Sequence, residues 1–318
     1  MNLFTKLGLQ LHTIQWVLTW SKHNNHYPSP VPENSKFVTA WQAAGLIQDG
    51  AVVGTSGIGG NQRCSLLYWA MRDRYRAEGH PKGLTVVCVG GQGGRGKVPG
   101  TLEELAVEGL QTCLIAGHIE TYKAQMRLAD AGKLELQCLP QGTLALLLQA
   151  QGEGVNEIIN NTGPGTFIDP RTVRGTPVVP ADARQYVEVL ADGRFKYTLP
   201  PVDTAVFSAP AADRKGNIYA KNCAVICESL ELVKAVRRNG GKVIVNVGLL
   251  VDEGYDDIFI PAEEVDAIVY WPNVEQTATI KHRKYWDCFT LNSKTSEAEG
   301  LARQKVINDF LGITPKRK

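Results

Sequence analysis

The chain has almost no net charge. In 318 residues, 34 lysines and arginines stand against 32 aspartates and glutamates, a formal charge of +2. A dedicated nucleic-acid binder needs a basic face, so that class is set aside. No apolar run approaches the roughly 18 residues of a membrane-spanning helix; LALLL and AIVYW are among the longest. There is no Cys-x-x-Cys. The seven cysteines (Cys64, Cys88, Cys113, Cys138, Cys223, Cys227 and Cys288) are odd in number and dispersed, and Cys223 and Cys227 have no matching Cys/His pair elsewhere. That argues against a zinc site and against a disulfide framework. Several cysteines lie in apolar runs such as TVVCVG and QTCLIAG. The expectation is small buried side chains in a reducing cytoplasm, with no metal bound.

What is present is glycine, 32 residues against an ordinary 16 prolines. That balance suggests tight turns near a ligand rather than a low-complexity linker. Leu3, Leu7, Leu11, Ile14 and Leu18 recur at helical spacing. Lys6 is the one lysine or arginine among the first 20 residues, and no A-x-A-like cleavage site follows, so neither a signal peptide nor a membrane-surface helix is expected. The segment SKHNNHYPSPVPENS is polar and proline-rich and reads as a linker, with His23 and His26 in solvent. Residues 1–34 are therefore expected as an extension and linker.

From Ser35 onward, helical and strand signals alternate. FVTAWQAAGLIQ, the stripe Leu67/Met71/Tyr75, LEELAVEGL, ETYKAQMRLADAG and GTLALLLQAQG are expected helices. AVVGTS, LTVVCVG, TCLIAGH and LELQCLP are expected strands. This alternation predicts an α/β fold, a mostly parallel sheet with helices on both faces. In such sheets ligands sit beyond the carboxyl ends of the strands, here GTSGIGG, GGQGGRG, AGHIE and LPQGT. Beyond residue 155 the pattern shifts. Asp192-Gly193 marks a hairpin, and ESLELVKAVRRNGG reads as a helix with Ser229 as N-cap. KVIVNVG and DAIVYW read as buried strands, and residues 293–318 as a helical tail.

Gly91-Gln92-Gly93-Gly94-Arg95-Gly96 matches G-x-G-x-x-G after a strand, with Glu120 where a ribose-binding acid could stand. Pro99 and Gly100 interrupt before a helix can begin, which removes the helix N-terminus that a pyrophosphate needs. Gly91 to Lys97 also reads G-x-x-x-x-G-K, but Val98 follows where a P-loop needs Ser or Thr. Ile58 replaces the last glycine of a nucleophile elbow at Ser56. His118 ends a strand without a conventional triad around it. Gln141, in Pro140-Gln141-Gly142-Thr143, stands at a strand end just before a helix. An uncharged amide there can donate to an oxyanion without titrating.

Taken in order, Asp49-Gly50-AVVGTSGIGG, GHPKGLTVVCVGGQGGRG, AVEGL…IAGH, LPQGTLALLL, TGPGTFIDPR, DRKGNIYAKN, AVRRNGGKVIVNV and LGITPKR resemble the first half of the family I CoA-transferases. The likeness is nearest the acetate/propionate branch and extends to succinyl-CoA:3-ketoacid CoA-transferase. It covers residues 37–318, so residues 35–292 are expected to form the α-type domain of that family. It departs after Gly60, where Asn61-Gln62-Arg63-Cys64 replaces a phenylalanine and a later Gly-x-Pro.

The resemblance implies exchange of CoA between carboxylates through a glutamyl-CoA intermediate, with coenzyme A as substrate and no cofactor. The nucleophilic glutamate belongs to a second half, within Glu-x-Gly-x-x-Gly. None of Glu103, Glu104, Glu108, Glu120 or Glu228 has that context. The implied partner is a β subunit or second half, with acyl-CoA and carboxylate as substrates. By the same resemblance Gln141 is the oxyanion donor. Ser56, Gly57, Gly59, Gly60, Gly91, Gln92, Gly93, His118, Gly163, Gly165 and Thr166 would shape the acyl and CoA channel. A thioester hydrolase subunit and a catalytically inactive partner-binding remnant are the alternatives.

Overall fold

The computed structural model describes residues 1–19, 21–59, 61–221, 223, 225–272 and 295–312. Its centre is a sheet built from β1 (Val52–Thr55), β2 (Leu84–Cys88), β3 (Gln111–Ala116), β4 (Glu135–Cys138), β6 (Pro177–Val179), β9 (Thr204–Asp213), β11 (Lys242–Val251) and β12 (Ala267–Tyr270). Across the sheet the order is β12-β11-β9-β1-β2-β3-β4-β6. β12, β11, β9, β1, β2, β3 and β4 run parallel, as expected. β6 adds antiparallel to β4, and a short β10 (Ile218–Tyr219) pairs antiparallel with β9.

Period-two burial explains the layers. Val86, Cys88, Leu114 and Ala116 point into one core with α2 (Ala40–Ala44), α3 (Ser65–Glu78) and α4 (Lys123–Asp130). Val87, Val89, Cys113 and Ile115 point into the other, with α5 (Gln141–Gly152) and α6 (Ser229–Arg238). Runs buried on both faces are what a parallel sheet between two helical layers requires. The expected hairpin at Asp192-Gly193 joins β7 (Val187–Val189) to β8 (Phe195–Thr198), and β5 (Glu157–Asn160) completes a separate three-stranded sheet.

Several local expectations are corrected. FVTAWQAAGLIQ gives only the five residues of α2, opened by a capping box between Thr39 and Gln42. LEELAVEGL gives a single 3-10 turn, Leu102–Leu105. Its acids explain why: Glu103 accepts from the amides of Gly94, Gly96 and Ala124, and Glu104 accepts from the Gly100 amide and pairs with Arg72. These carboxylates cap loops rather than face solvent from a helix. Glu228, not Ser229, occupies the N-cap position of α6.

The proline-rich segment packs on the domain rather than hanging in water. His23 stacks on Trp69 at 4.5 Å, and its Nε2 lies 2.8 Å from Asp73 Oδ2. Asn25 Nδ2 donates to the same oxygen, and Val31 is fully buried. His26 lies against Trp41. The first stripe is helical, as α1 (Leu3–Thr19), and α1 packs against α7 (Glu297–Phe310).

Candidate functional site

Because β1 to β4 are parallel, their carboxyl ends and the loops after them share one edge. After β1 the chain adds strands to one side. β9 then returns to pair with β1 on the other side. The loop after β1 therefore sits at the switch point, where an open α/β sheet leaves a crevice.

Glycine lets these loops touch backbone to backbone. A Cβ on Gly90 would lie 2.3 Å from the Gly57 carbonyl oxygen, and Gly57 itself has φ +134°. The Gly59 amide donates to the Gly91 carbonyl at 2.7 Å. Gly91 faces the His118 ring, and Gly93 faces the Thr121 backbone. Gly117 abuts Gln141. Of the expected residues, Gly57, Gly59, Gly91, His118 and Gln141 thus form a continuous row across four loops. Gly60 lies outside the described residues.

Gln141 is the first residue of α5, solvent-exposed, and its side chain makes no hydrogen bond among the described residues. Its amide is available, and the partial positive charge of the helix start favours negative charge beside it. Asn160 Nδ2 donates to Thr143 Oγ1 at 3.3 Å, which ties the end of β5 to the first turn of α5. The stretch holding Gly163, Gly165 and Thr166 follows. There Thr166 Oγ1 donates to the Gly163 carbonyl, and the Gly165 amide donates to Asp169. Arg171 and the Gly165 amide hold the Asp169 carboxyl well below the usual carboxylate range.

Gln92 and Ser56 are fully buried. Gln92 Oε1 accepts from Tyr68 at 2.6 Å, and Nε2 donates to the Gly57 carbonyl at 3.3 Å. Its backbone amide donates to Tyr122 Oη at 2.9 Å. Gln92 therefore fastens the second loop to the first. Tyr122 Oη also donates to the Gly90 carbonyl, and Cys88 Sγ donates to the same oxygen. Burial pushes the Cys64 thiol up to about 12 and Cys88 higher still. Both are inert thiols, as expected of small buried side chains. Cys113, Cys138 and Cys223 are buried too, Cys227 is partly so, and Cys288 lies outside the described residues. No group of three or more His, Cys, Asp and Glu is placed to hold a metal among the described residues. No helix among them is long and apolar enough to cross a membrane.

The nucleotide-loop motifs fail for a physical reason. The amides of Gly94 and Gly96 are already taken by the Glu103 carboxylate, and Glu120 is held by the Arg95 guanidinium. A phosphate would have to displace Glu103. His118 Nε2 lies 3.8 Å from Glu120.

One group at this edge carries no local signal in the sequence. Burial raises the Glu228 carboxyl to about 7, against the opposing hydrogen bonds of the Gly57 amide and the Ser56 hydroxyl. Its Oε1 is buried with no hydrogen-bond partner among the described residues. The adjacent Ser229 hydroxyl lies 2.8 Å from Ser56 Oγ, and the Cys227 amide donates to Gln62 Oε1 at 2.7 Å. Segment 227–229 thereby clamps the first glycine loop. α5 and α6 lie side by side with their ends at Gly152–Gly154 and Lys234–Arg238 together. Glu228 and Gln141 therefore open adjacent helices at the same edge.

Residues 37–249 match the family model described as coenzyme A transferase. The chain is 32% identical over 243 residues to the caffeate CoA-transferase of Acetobacterium woodii, a match covering 74% of this chain and 45% of the relative. It is 27% identical over 278 residues to the acetate CoA-transferase YdiF of Escherichia coli (strain K12), covering 85% and 52%. Among solved structures it is similar to the apoenzyme of the acyl-CoA transferase YdiF of E. coli O157:H7. The TM-score is 0.70 at 25% identity, covering 79% of this chain and 49% of that one. The chain spans about half the length of these relatives.

Proposed function

The chain belongs to the coenzyme A transferase family, and from that premise we propose that it forms the α half of an acyl-CoA:carboxylate CoA-transferase of the acetate/propionate type. The observation that carries the proposal is Gln141: a neutral amide without a protein partner among the described residues, at the start of a helix, beside glycine loops that admit a ligand to the backbone. Its partner is a second half that supplies the nucleophilic glutamate, since no glutamate of this chain stands in the Glu-x-Gly-x-x-Gly context.

In this reading the partner's glutamate attacks the thioester carbonyl of acyl-CoA. The C–S bond breaks, and a glutamyl–acyl anhydride and CoA thiolate form. The thiolate then attacks the glutamyl carbonyl, giving an enzyme–CoA thioester and releasing the acyl group as a carboxylate. A second carboxylate reverses both steps. The thioester energy is conserved in the covalent intermediate. Two carboxylates of similar basicity exchange, so the proposed reaction calls on no metal or redox cofactor. Each attack passes through a tetrahedral oxyanion. The Gln141 amide donates to it and stays neutral throughout. Gly57, Gly59 and Gly91 leave room for the substrate, and Gln92 keeps the loops that carry them in register.

The test is to purify the chain from its native host with its associated chains and to follow acetyl-CoA consumption with and without propionate. Consumption that requires propionate and yields propionyl-CoA supports the transferase. Consumption in water alone, with free CoA released, supports a thioester hydrolase instead.

A further inference from the structure

α1 buries one face and leaves an apolar one exposed. Leu9 and Thr13, on its inner face, are buried, at 0% and 1% exposure. Leu3, Phe4, Leu7, Leu11, Ile14 and Leu18 are exposed, from 42% at Ile14 to 85% at Phe4. At 100° per residue these six fall within an arc of about 100°, opposite the buried pair. A surface helix normally turns its polar face outward, and an apolar patch of this extent marks an interaction site.

The spacing identifies the kind of site. Phe4, Leu7, Leu11, Ile14 and Leu18 are separated by three, four, three and four residues, which is the a/d repeat of a coiled-coil seam. The positions flanking it are Leu3, Gly8, Gln10, Gln15 and Val17, and none is charged. Flanking charges are what choose between partners and oppose identical copies in such seams. Here nothing opposes a second copy, and no charge code selects a different protein. A membrane surface would call for a basic polar face, whereas Lys6 is the sole charged residue in α1.

We propose that the outer face of α1 is a self-association seam, occupied by α1 of a second copy of this chain. Two and a half heptads are too few to fold alone. α1 already packs against α7, and its Leu9 and Thr13 are already buried, so the helix does not have to be ordered by the pairing. Leu11 is the central residue of the five and, as an a position, meets its own counterpart in a parallel pair.

The experiment is sedimentation velocity on the full chain at about 50 µM, with Leu11→Glu, with Leu11→Lys, and with the two variants mixed. Wild type is expected as a dimer, each variant as a monomer, and the mixture as a dimer restored by the opposite charges. Circular dichroism checks that the variants are folded, because an exposed side chain can change without loss of the core. A monomeric wild type, variants that stay dimeric, or a wild type that instead co-sediments with phosphatidylcholine vesicles in a Leu11-dependent way would overturn the proposal.

Discussion

Gln141 is packed against Gly117 so closely that a Cβ at position 117 would come within 2.4 Å of Gln141 Cγ and 2.6 Å of the Val89 carbonyl oxygen. The third loop thus fixes where the first residue of α5 stands. Gly117→Ala should push Gln141 out of place without removing it. A misplacement of about 1 Å costs roughly 10²-fold in rate, so kcat of the assembled enzyme should fall by about that factor. Steady-state kinetics on the variant complex check this; an unchanged kcat would mean that the position of Gln141 is irrelevant.

Gln92 is the bolt between the first two loops. Gln92→Leu keeps the shape, but it removes the side-chain donor to the Gly57 carbonyl and leaves the Tyr68 hydroxyl with Thr55 alone inside the core. Leaving buried polar groups unmet costs about 1–3 kcal/mol. A shift of the urea midpoint to lower concentration, by that amount of free energy, is expected for the isolated chain. A midpoint equal to wild type would show that the loops do not depend on this side chain.

Glu228 should make stability fall with pH. The folded chain keeps its proton until about 7, whereas the ordinary value is 4.5. Between those values the folded state binds more protons than the unfolded one. The stabilisation is fully present below 4.5, declines as pH rises towards 7, and is gone above it. Glu228→Gln cannot ionise and should lose this dependence, so the variant gains on wild type by up to about 3 kcal/mol between pH 4 and pH 8. Denaturation of both proteins at the two pH values measures it, and parallel curves would contradict it.

The central strands are legible in the sequence because each is buried on both faces and ends in a glycine-bearing turn. From β1, β2, β3 and β4 alone, the common edge and the neighbouring positions of Gly57, Gly91, His118 and Gln141 follow. What is not legible depends on partners far along the chain. His23 reads as a solvated residue until Asp73, 50 positions away, is beside it. Glu103 and Glu104 read as a helix face until their hydrogen bonds to loop amides are seen. Glu228 stands in no motif at all. Its importance at the edge comes from Ser56 and Gly57, which α6 meets only after β9 has crossed back beside β1. Past Gly60, where the sequence departs from the signature it otherwise resembles, Gln62, at φ +55°, turns to receive the Cys227 amide.

The most direct test is kcat of the assembled enzyme carrying Gln141→Ala. Gln141 is exposed and its side chain has no hydrogen-bond partner among the described residues, so its removal should leave the melting temperature near wild type. Losing one oxyanion donor typically costs about 2.7–4 kcal/mol, and kcat for propionate-dependent consumption of acetyl-CoA should drop by about 10²–10³. A kcat equal to wild type, in a complex of the same composition and stability, would contradict the oxyanion-donor role of the Gln141 amide.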